Sequence, residues 1–155
     1  MVDSVKIDGL RELAAALRAL PDKLAKNGLR AGVYAGAKVI QDEAKLRAPV
    51  YTGPVEQGHP PPGTLKRAII MKQIREESGQ RHQVFFVTVR SGKKYQKQGK
   101  KGNLSQDAFY WRWVEFGSTK MAARPFLRPA FEAKKEAAVE AIKNKLAERV
   151  EEAAK

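Results

Sequence analysis

The sequence contains no cysteine and only two histidines among its 155 residues. The absence of cysteine excludes disulfide bonds, thiol catalysis and thiolate metal sites, and it fits folding in a reducing cytosol. His59 lies in a proline-rich stretch and His82 at the start of a predicted strand, and neither has an acid or a nucleophile at a recognisable catalytic spacing. The sequence therefore predicts a protein that is not an enzyme and that binds no metal and no other cofactor.

Long hydrophobic runs are also missing. No stretch approaches the ~18 to 20 apolar residues that a membrane-spanning helix needs. The opening residues, MVDSVKIDG, have neither the apolar centre nor the cleavage site of a secretory signal. The glycines of SGKKYQKQGKKG lack the spacing of a phosphate-binding loop. We therefore expect a protein that is made in the cytoplasm and has no membrane partner.

Acidic residues are scarce, since 17 Asp and Glu stand against 30 Lys and Arg, for a net charge of +13. The surplus is concentrated in residues 64–105, which carry eleven basic against two acidic side chains. A basic loop is predicted at 91–106, with lysines at Lys93, Lys94, Lys97, Lys100 and Lys101. Such a patch attracts phosphates or acidic protein surfaces. A solvated loop that only keeps the protein soluble is the alternative.

Apolar residues recur at helical spacing in three segments. The first segment spans residues 7–20, and the second runs from Asp22 to about Arg47, where Pro49 ends it. The third runs from about Pro129 to residue 153. In each segment the apolar residues form one stripe, which predicts a helix that packs on one face.

Strand signals are confined to the middle of the chain. His82–Arg90 reads HQVFFVTVR, a strand rich in β-branched and aromatic residues, and its run of apolar residues predicts that both faces are covered. Residues 65–76 are ambiguous between a helical turn and a strand, and 76–80 reads as a hairpin connection. A loop is predicted at 49–63, which contains five of the eight prolines.

These elements predict an α+β fold. It has two N-terminal helices, a small antiparallel sheet with a long basic loop, a short aromatic helix and a long C-terminal helix. We expect the whole chain, 1–155, to form a single domain of ordinary size.

Three glycines follow one another at four-residue steps in the second predicted helix, at Gly28, Gly32 and Gly36. Each costs a helix roughly 1 kcal/mol relative to alanine. This cost is explained if another element packs closely against the stripe, either inside the domain or across a subunit contact.

The segment YWRWVEFGSTKMAARPFLRPAFE gathers both tryptophans and half of the phenylalanines. A short helix ended by Gly117 is predicted. Glu115 falls among aromatic residues, where an unpaired carboxylate would be costly, and Arg124 or Arg128 is its natural partner.

The prolines of this segment predict a stiff turn. Pro125 and Pro129 fix the backbone around Phe126 and Leu127, and we expect the turn to present Phe126 to a neighbour. A position in the core is expected for Trp113, Phe116 and Phe131.

The run VEFGS…ARPFLRPAFE resembles the siphophage neck, or head–tail connector, proteins, a tail-component family also called gene-product-10-like. Ala48-Pro49…Thr52-Gly53 and Gly63–Ile69 look like a second motif of that family, here split by an insertion at 54–62. The proline-rich insertion and the lysine-rich loop depart from the family pattern.

The resemblance implies a non-enzymatic structural protein of the virion, made in the bacterial host cytoplasm. Its expected form is a homo-oligomeric ring of about six or twelve copies at the head–tail junction. Portal- or adaptor-side and tail-tube-side virion proteins are the expected partners. The contacts of the lysine loop cannot be carried over from the family, and our hypothesis is that the loop faces passing double-stranded DNA or an acidic tail component. The expected interface residues are Glu115, Phe116, Gly117, Arg124, Pro125, Phe126, Leu127, Arg128 and Pro129.

Two other functions fit the residues. A tail-terminator protein that caps the tail tube belongs to the same structural class. A basic nucleic-acid-binding protein belongs to a different class, and the lysine-rich loop suits nonspecific phosphate contacts better than base recognition.

Overall fold

The computed structural model describes residues 9–54, 60–92 and 107–153, and it confirms the α+β fold. Within these ranges the chain forms five helices and a two-stranded sheet. In chain order they are α1 (Leu10–Ala19), α2 (Asp22–Arg47), α3 (Thr64–Ala68), β1 (Ile69–Gln73), β2 (Phe85–Val89), α4 (Trp111–Phe116) and α5 (Leu127–Ala153).

The long helix α2 has the bounds that its sequence predicts. Asp22 lies in its first turn, and Lys45 and Arg47 lie in its last turn, so the charges complement the helix dipole. The helix ends just before Ala48, because Pro49 disfavours a helical conformation of the residue that precedes it.

Strands β1 and β2 form an antiparallel ribbon. Its ends are marked by the hydrogen bonds from Ile74 N–H to the Val84 carbonyl (2.9 Å) and from Arg90 N–H to the Ala68 carbonyl (2.9 Å). The segment 65–76 is ambiguous from sequence. In the structure it contains most of the short helix α3, followed by strand β1.

The prediction that both faces of β2 are covered is wrong at Phe86, which is 50% exposed. Side chains alternate between the two faces of a strand. Phe85 therefore meets the Tyr34 ring edge-on, with centroids 6.1 Å apart, while Phe86 points to the opposite face.

The chain divides into two compact units. The first comprises the described parts of Met1–Val39, Lys72–Phe86 and Lys134–Lys155, and the second comprises those of Ile40–Met71 and Val87–Ala133. The prediction of one domain over 1–155 stays a prediction.

The second unit contains a small aliphatic core with one large aromatic side chain. Leu65, Ile69 and Phe126 are its largest fully buried apolar residues, and alanines fill the space around them. The buried Gln41 side chain donates a hydrogen bond to the Ile69 carbonyl (3.1 Å), so this polar group is satisfied inside the core.

In the first unit, the glycine stripe of α2 lies against α5. A Cβ built on Gly36 would come 2.6 Å from Cγ1 of Ile142 and 2.9 Å from the Ala138 carbonyl oxygen. At Gly32 the nearest atoms belong to the Leu146 side chain, at 2.8 Å. Gly28 has more room, since the nearest atom is 3.6 Å away on Arg149. The close approach of the two helices therefore depends on Gly36 and Gly32 more than on Gly28.

Residues 49–54 and 60–63 of the predicted proline-rich loop adopt neither helix nor strand, and the rest of that loop lies outside the described residues. Among the described residues, no helix has both the length and the apolar character to cross a bilayer.

The glycine geometry predicts opposite effects of the same substitution at two positions. Gly36→Ala places its methyl group against a backbone carbonyl, and we expect it to lower the free energy of unfolding by about 1–3 kcal/mol. Gly28→Ala has room for its methyl group and should raise the free energy of unfolding by up to about 1 kcal/mol through helix propensity. Urea denaturation of the two variants measures both effects. Equal effects at the two positions would contradict the packing described here.

Candidate assembly surface

The short helix α4 and the chain that follows it form a tight return. Gly117 ends α4 with a φ of 78°, and a Cβ there would lie 3.0 Å from the Ala123 nitrogen. Both the positive φ and the close approach favour glycine at this position. Arg124 N–H donates to the Val114 carbonyl (2.7 Å). The return thus brings the chain back alongside α4 just before α5 begins.

Glu115 connects α4 to the start of α5. This residue is only 6% exposed, and its carboxylate accepts hydrogen bonds from the N–H groups of Phe126 (2.8 Å), Leu127 (3.0 Å) and Arg128 (3.0 Å). The first N–H groups of a helix have no partner inside the helix, and a negative charge there is favoured by the helix dipole. Glu115 therefore caps α5 from a different helix, eleven to thirteen residues away along the chain.

The prolines on either side of this cap have a structural reason. Pro125 and Pro129 have no N–H, and Ala130 N–H donates to the Phe126 carbonyl (3.2 Å). Every backbone N–H from residue 124 to 130 therefore has an acceptor. The two prolines of RPFLRP thus stand at the two positions where a backbone N–H would have found no acceptor in this arrangement.

The predicted arginine partner of Glu115 is wrong. Its carboxylate is occupied by three backbone donors, so no guanidinium needs to enter the interior, where desolvation would cost several kcal/mol. The side chains of Arg124 and Arg128 are exposed. Within the described parts of the chain, neither guanidinium forms a hydrogen bond or an ion pair. The stiff turn therefore leaves two cations available at the surface.

The expected positions of the aromatic residues are reversed. Phe126 is fully buried, whereas Trp113 is 51% exposed, Phe116 is 67% exposed and Phe131 is about half exposed. The six-residue helix α4 turns Val114 and Glu115 inward, so the residues on either side of them face outward. Phe126 and Glu115 thus hold the turn in place from within the subunit and present no surface to a neighbour.

The remaining predicted interface residues differ in exposure. Pro125 is exposed, while Gly117, Leu127 and Pro129 are half-buried. Their role at an interface stays a prediction. The five lysines of the predicted basic loop, Lys93, Lys94, Lys97, Lys100 and Lys101, lie outside the described residues.

Sequence reasoning missed other members of the exposed surface. Phe109 is about half exposed and meets the Trp113 ring edge-to-face, with centroids 6.1 Å apart. Arg112 is exposed too, with its guanidinium carbon 5.6 Å from the centre of the Trp111 ring. The clustering of aromatic residues in the sequence was a signal for a surface as much as for a core.

Tyr110 anchors the start of α4 behind this surface. Burial raises the pKa of its hydroxyl above the ordinary value, and a hydrogen bond with the Leu65 backbone and the charge of Arg67 act in the opposite direction. The hydroxyl is therefore neutral at physiological pH and joins the start of α4 to α3.

The described residues contain no group of three or more histidine, aspartate or glutamate side chains placed to hold a metal ion. What the arrangement offers is a stiff cationic and aromatic surface, which suits protein contacts.

A comparison with protein-family models matches residues 11–117, more than two thirds of the chain, to the family described as "Bacteriophage HK97-gp10, putative tail-component". The chain belongs to this family. It is thus a bacteriophage tail component, with a structural role in the virion. The match includes the VEFG sequence of α4 and ends before the capped turn, so it does not extend to Arg124–Pro129. Searches of curated proteins and of solved structures found no significant match.

The cap predicts a specific cost of removing the Glu115 charge. Glu115→Gln replaces one carboxylate oxygen by an amide group that cannot accept, and so leaves at least one of the three N–H groups without its acceptor. We expect the free energy of unfolding to fall by about 1–3 kcal/mol in urea denaturation. Glu140→Gln, an exposed change on α5, is the control and should stay within about 0.5 kcal/mol of the parent. Equal stability of the two variants would exclude the cap.

The two phenylalanines of this segment predict contrasting losses. Phe126→Ala opens a cavity in the core, and we expect the free energy of unfolding to fall by about 3–5 kcal/mol. Phe116→Ala, at an exposed position, should change it by no more than about 0.5 kcal/mol. Thermal or urea unfolding tests both, and the milder Phe126→Leu keeps the test usable if the alanine variant does not fold. A larger loss of unfolding free energy in Phe116→Ala than in Phe126→Ala would contradict the buried position of Phe126 and the exposed position of Phe116.

Proposed function

We propose that this chain forms a homo-oligomeric ring at the head–tail junction of a long-tailed phage or phage-like particle, as a neck or tail-completion protein. The observation that carries the proposal is the family match over residues 11–117, which makes the chain a phage tail component. The proposed role is assembly and involves neither catalysis nor a cofactor.

The capped turn supports a role in assembly. A surface that is already rigid loses little conformational entropy when it binds. Three backbone hydrogen bonds donated to Glu115 and two prolines hold the turn in place, so Arg124 and Arg128 are presented from a fixed backbone. Guanidinium groups bind carboxylates in bidentate pairs, which specify orientation as well as affinity.

The proposed partners are copies of this chain and the virion proteins on either side of it. About six or twelve copies would close the ring, since cyclic symmetry closes only at a fixed subunit number. Portal- or adaptor-side proteins would meet one face of the ring, and tail-tube-side proteins would meet the other. The lysines of the basic loop suit transient, sequence-independent contact with passing double-stranded DNA.

A tail-terminator ring on the tail tube is the second candidate, and the same features support it. A basic nucleic-acid-binding protein is the candidate from another class, favoured by eleven basic against two acidic residues in 64–105. A titration of DNA affinity against salt separates the classes. A dedicated binder keeps DNA near physiological salt, whereas an incidental patch releases it as counterions compete.

The copy number in purified tailed particles tests the proposal. Quantitative mass spectrometry, calibrated against the portal protein, should give a fixed ratio equivalent to about six or twelve copies per particle. The copy number also helps to separate a neck ring from a terminator ring. Absence from particles, with recovery of the chain on cellular nucleic acid, would overturn the proposal in favour of the nucleic-acid-binding function.

The two exposed arginines predict a defect in assembly without a defect in folding. The double variant Arg124→Ala/Arg128→Ala should unfold at the parent's urea midpoint, because neither guanidinium has a partner among the described residues. We expect it to block the joining of heads to tails, which electron microscopy of particles from producing cells would show as separate heads and tails.

Arg11→Ala/Arg18→Ala is the matched control, since it removes the same charge from exposed positions of α1. Normal joining in the Arg124/Arg128 variant would mean that these arginines have no part in assembly. A failure of both variants to join would assign the effect to net charge.

A further inference from the structure

The surface around α4 combines exposed aromatic rings with cations. We call it the aromatic–basic surface and define it by Phe109, Arg112, Trp113, Phe116, Arg124 and Arg128, all of them exposed. All six residues lie in the second compact unit.

One ring contact, the helix spacing of α4 and two backbone hydrogen bonds bring these residues together. The rings of Phe109 and Trp113 touch edge-to-face. Arg112 and Phe116 are four residues apart on α4 and so lie on the same side of the helix. The Arg124 backbone is hydrogen-bonded to Val114, and the Arg128 backbone is hydrogen-bonded to Glu115, so both arginines stand beside the C-terminal turn of α4.

The charge of this surface has one sign. From residue 107 to 131 the chain contains two acidic residues, Asp107 and Glu115, and both are buried. Each accepts backbone N–H groups, Asp107 from Gly92 (2.8 Å) and Glu115 from the start of α5. Every exposed ionisable side chain of that stretch is therefore a cation, and the first exposed carboxylate after it is Glu132, one turn beyond Arg128 on α5.

The exposed aromatic area is of the size found at functional patches of protein surfaces. Each ring residue offers roughly 200 Å² and is at least half exposed, so the three together expose about 300 Å². The largest apolar patch of a monomeric protein is typically of this size and is often functional. The arginines beside the rings give this patch a charged rim.

We propose that the aromatic–basic surface binds a segment of a different virion protein in which carboxylates alternate with apolar side chains. The inference rests on the proposed function, and it names the chemistry of the neighbour that this face meets. Carboxylates complement the three arginines, and apolar side chains cover the rings.

Two other occupants fit the surface less well. A second copy of this chain offers 17 acidic against 30 basic side chains, so its surface complements three arginines less well than that of an acidic partner, although other surfaces of the two copies can still meet in a ring. Duplex DNA complements the arginines, but its bases are already stacked on one another and leave Phe109, Trp113 and Phe116 without a partner.

Site-specific photo-crosslinking in cells that produce tailed particles tests this assignment. The full-length chain would carry p-benzoylphenylalanine in place of Trp113 or of Phe116, with Phe86 as the control position. Phe86 is similarly exposed but belongs to the first compact unit. We expect positions 113 and 116, and not 86, to crosslink to one virion protein. The captured segment, identified by mass spectrometry, should have net negative charge and apolar residues.

Charge reversal makes the test independent of the identity of the captured protein. Arg124→Glu/Arg128→Glu should reduce the yield at position 116 by about tenfold, because like charges then face each other. Lysine substitutions of the acidic residues in the captured segment should restore the yield in that variant.

The remaining outcomes overturn the proposal. A crosslink from 113 or 116 to another copy of this chain would assign the face to ring closure, and a crosslink to DNA would assign it to the channel. If particles contain the chain but yield no crosslink at 113 or 116, or if charge reversal leaves the yield unchanged, the partner chemistry is wrong while the ring proposal stands. Absence of the chain from particles would overturn both.

Discussion

The structure around the candidate surface depends on one buried carboxylate. Glu115 accepts the N–H groups of Phe126, Leu127 and Arg128, and so joins α4 to the start of α5. Without it, the buried N–H of Phe126 would have no acceptor, and the N–H groups of Leu127 and Arg128 would lose the acceptor that they have at the start of the helix. The carboxylate also brings a negative charge to the positive end of a 27-residue helix. A single interaction thus satisfies the backbone and fixes the turn at the start of α5.

The cap determines which side chains remain available for other molecules. Because backbone donors occupy the carboxylate, Arg124 and Arg128 are free of an internal ion pair and lie at the surface. Phe126 takes the core position next to the cap, and the short helix α4 turns Trp113 and Phe116 outward. The exposure of cations and aromatic rings at the same place on this tail component therefore follows from the hydrogen bonds that Glu115 accepts at the start of α5.

Close packing in the other compact unit follows a different principle. There the packing depends on the absence of a side chain at glycine. Gly32 and Gly36 let the side chains of Leu146 and Ile142 approach the α2 backbone. The helix-propensity cost of these glycines is offset by the contacts that the close approach allows. The candidate surface lies elsewhere in the chain, so the glycine stripe contributes to the stability of the fold and has no direct part in the proposed contacts.

The sequence by itself determined most of the elements but not α3 and β1, and the tertiary structure decided which residues are exposed. Hydrophobic periodicity and the prolines predict α1, α2, β2 and α5 within a few residues, because these signals are local. The motif residues also predicted the family. The partner of Glu115 could not be predicted, since it lies eleven residues away and consists of backbone groups that have no sequence signature. Nor could the sequence distinguish Phe126 from Phe116, because burial depends on which face of a short helix meets the core, and only long-range packing sets that.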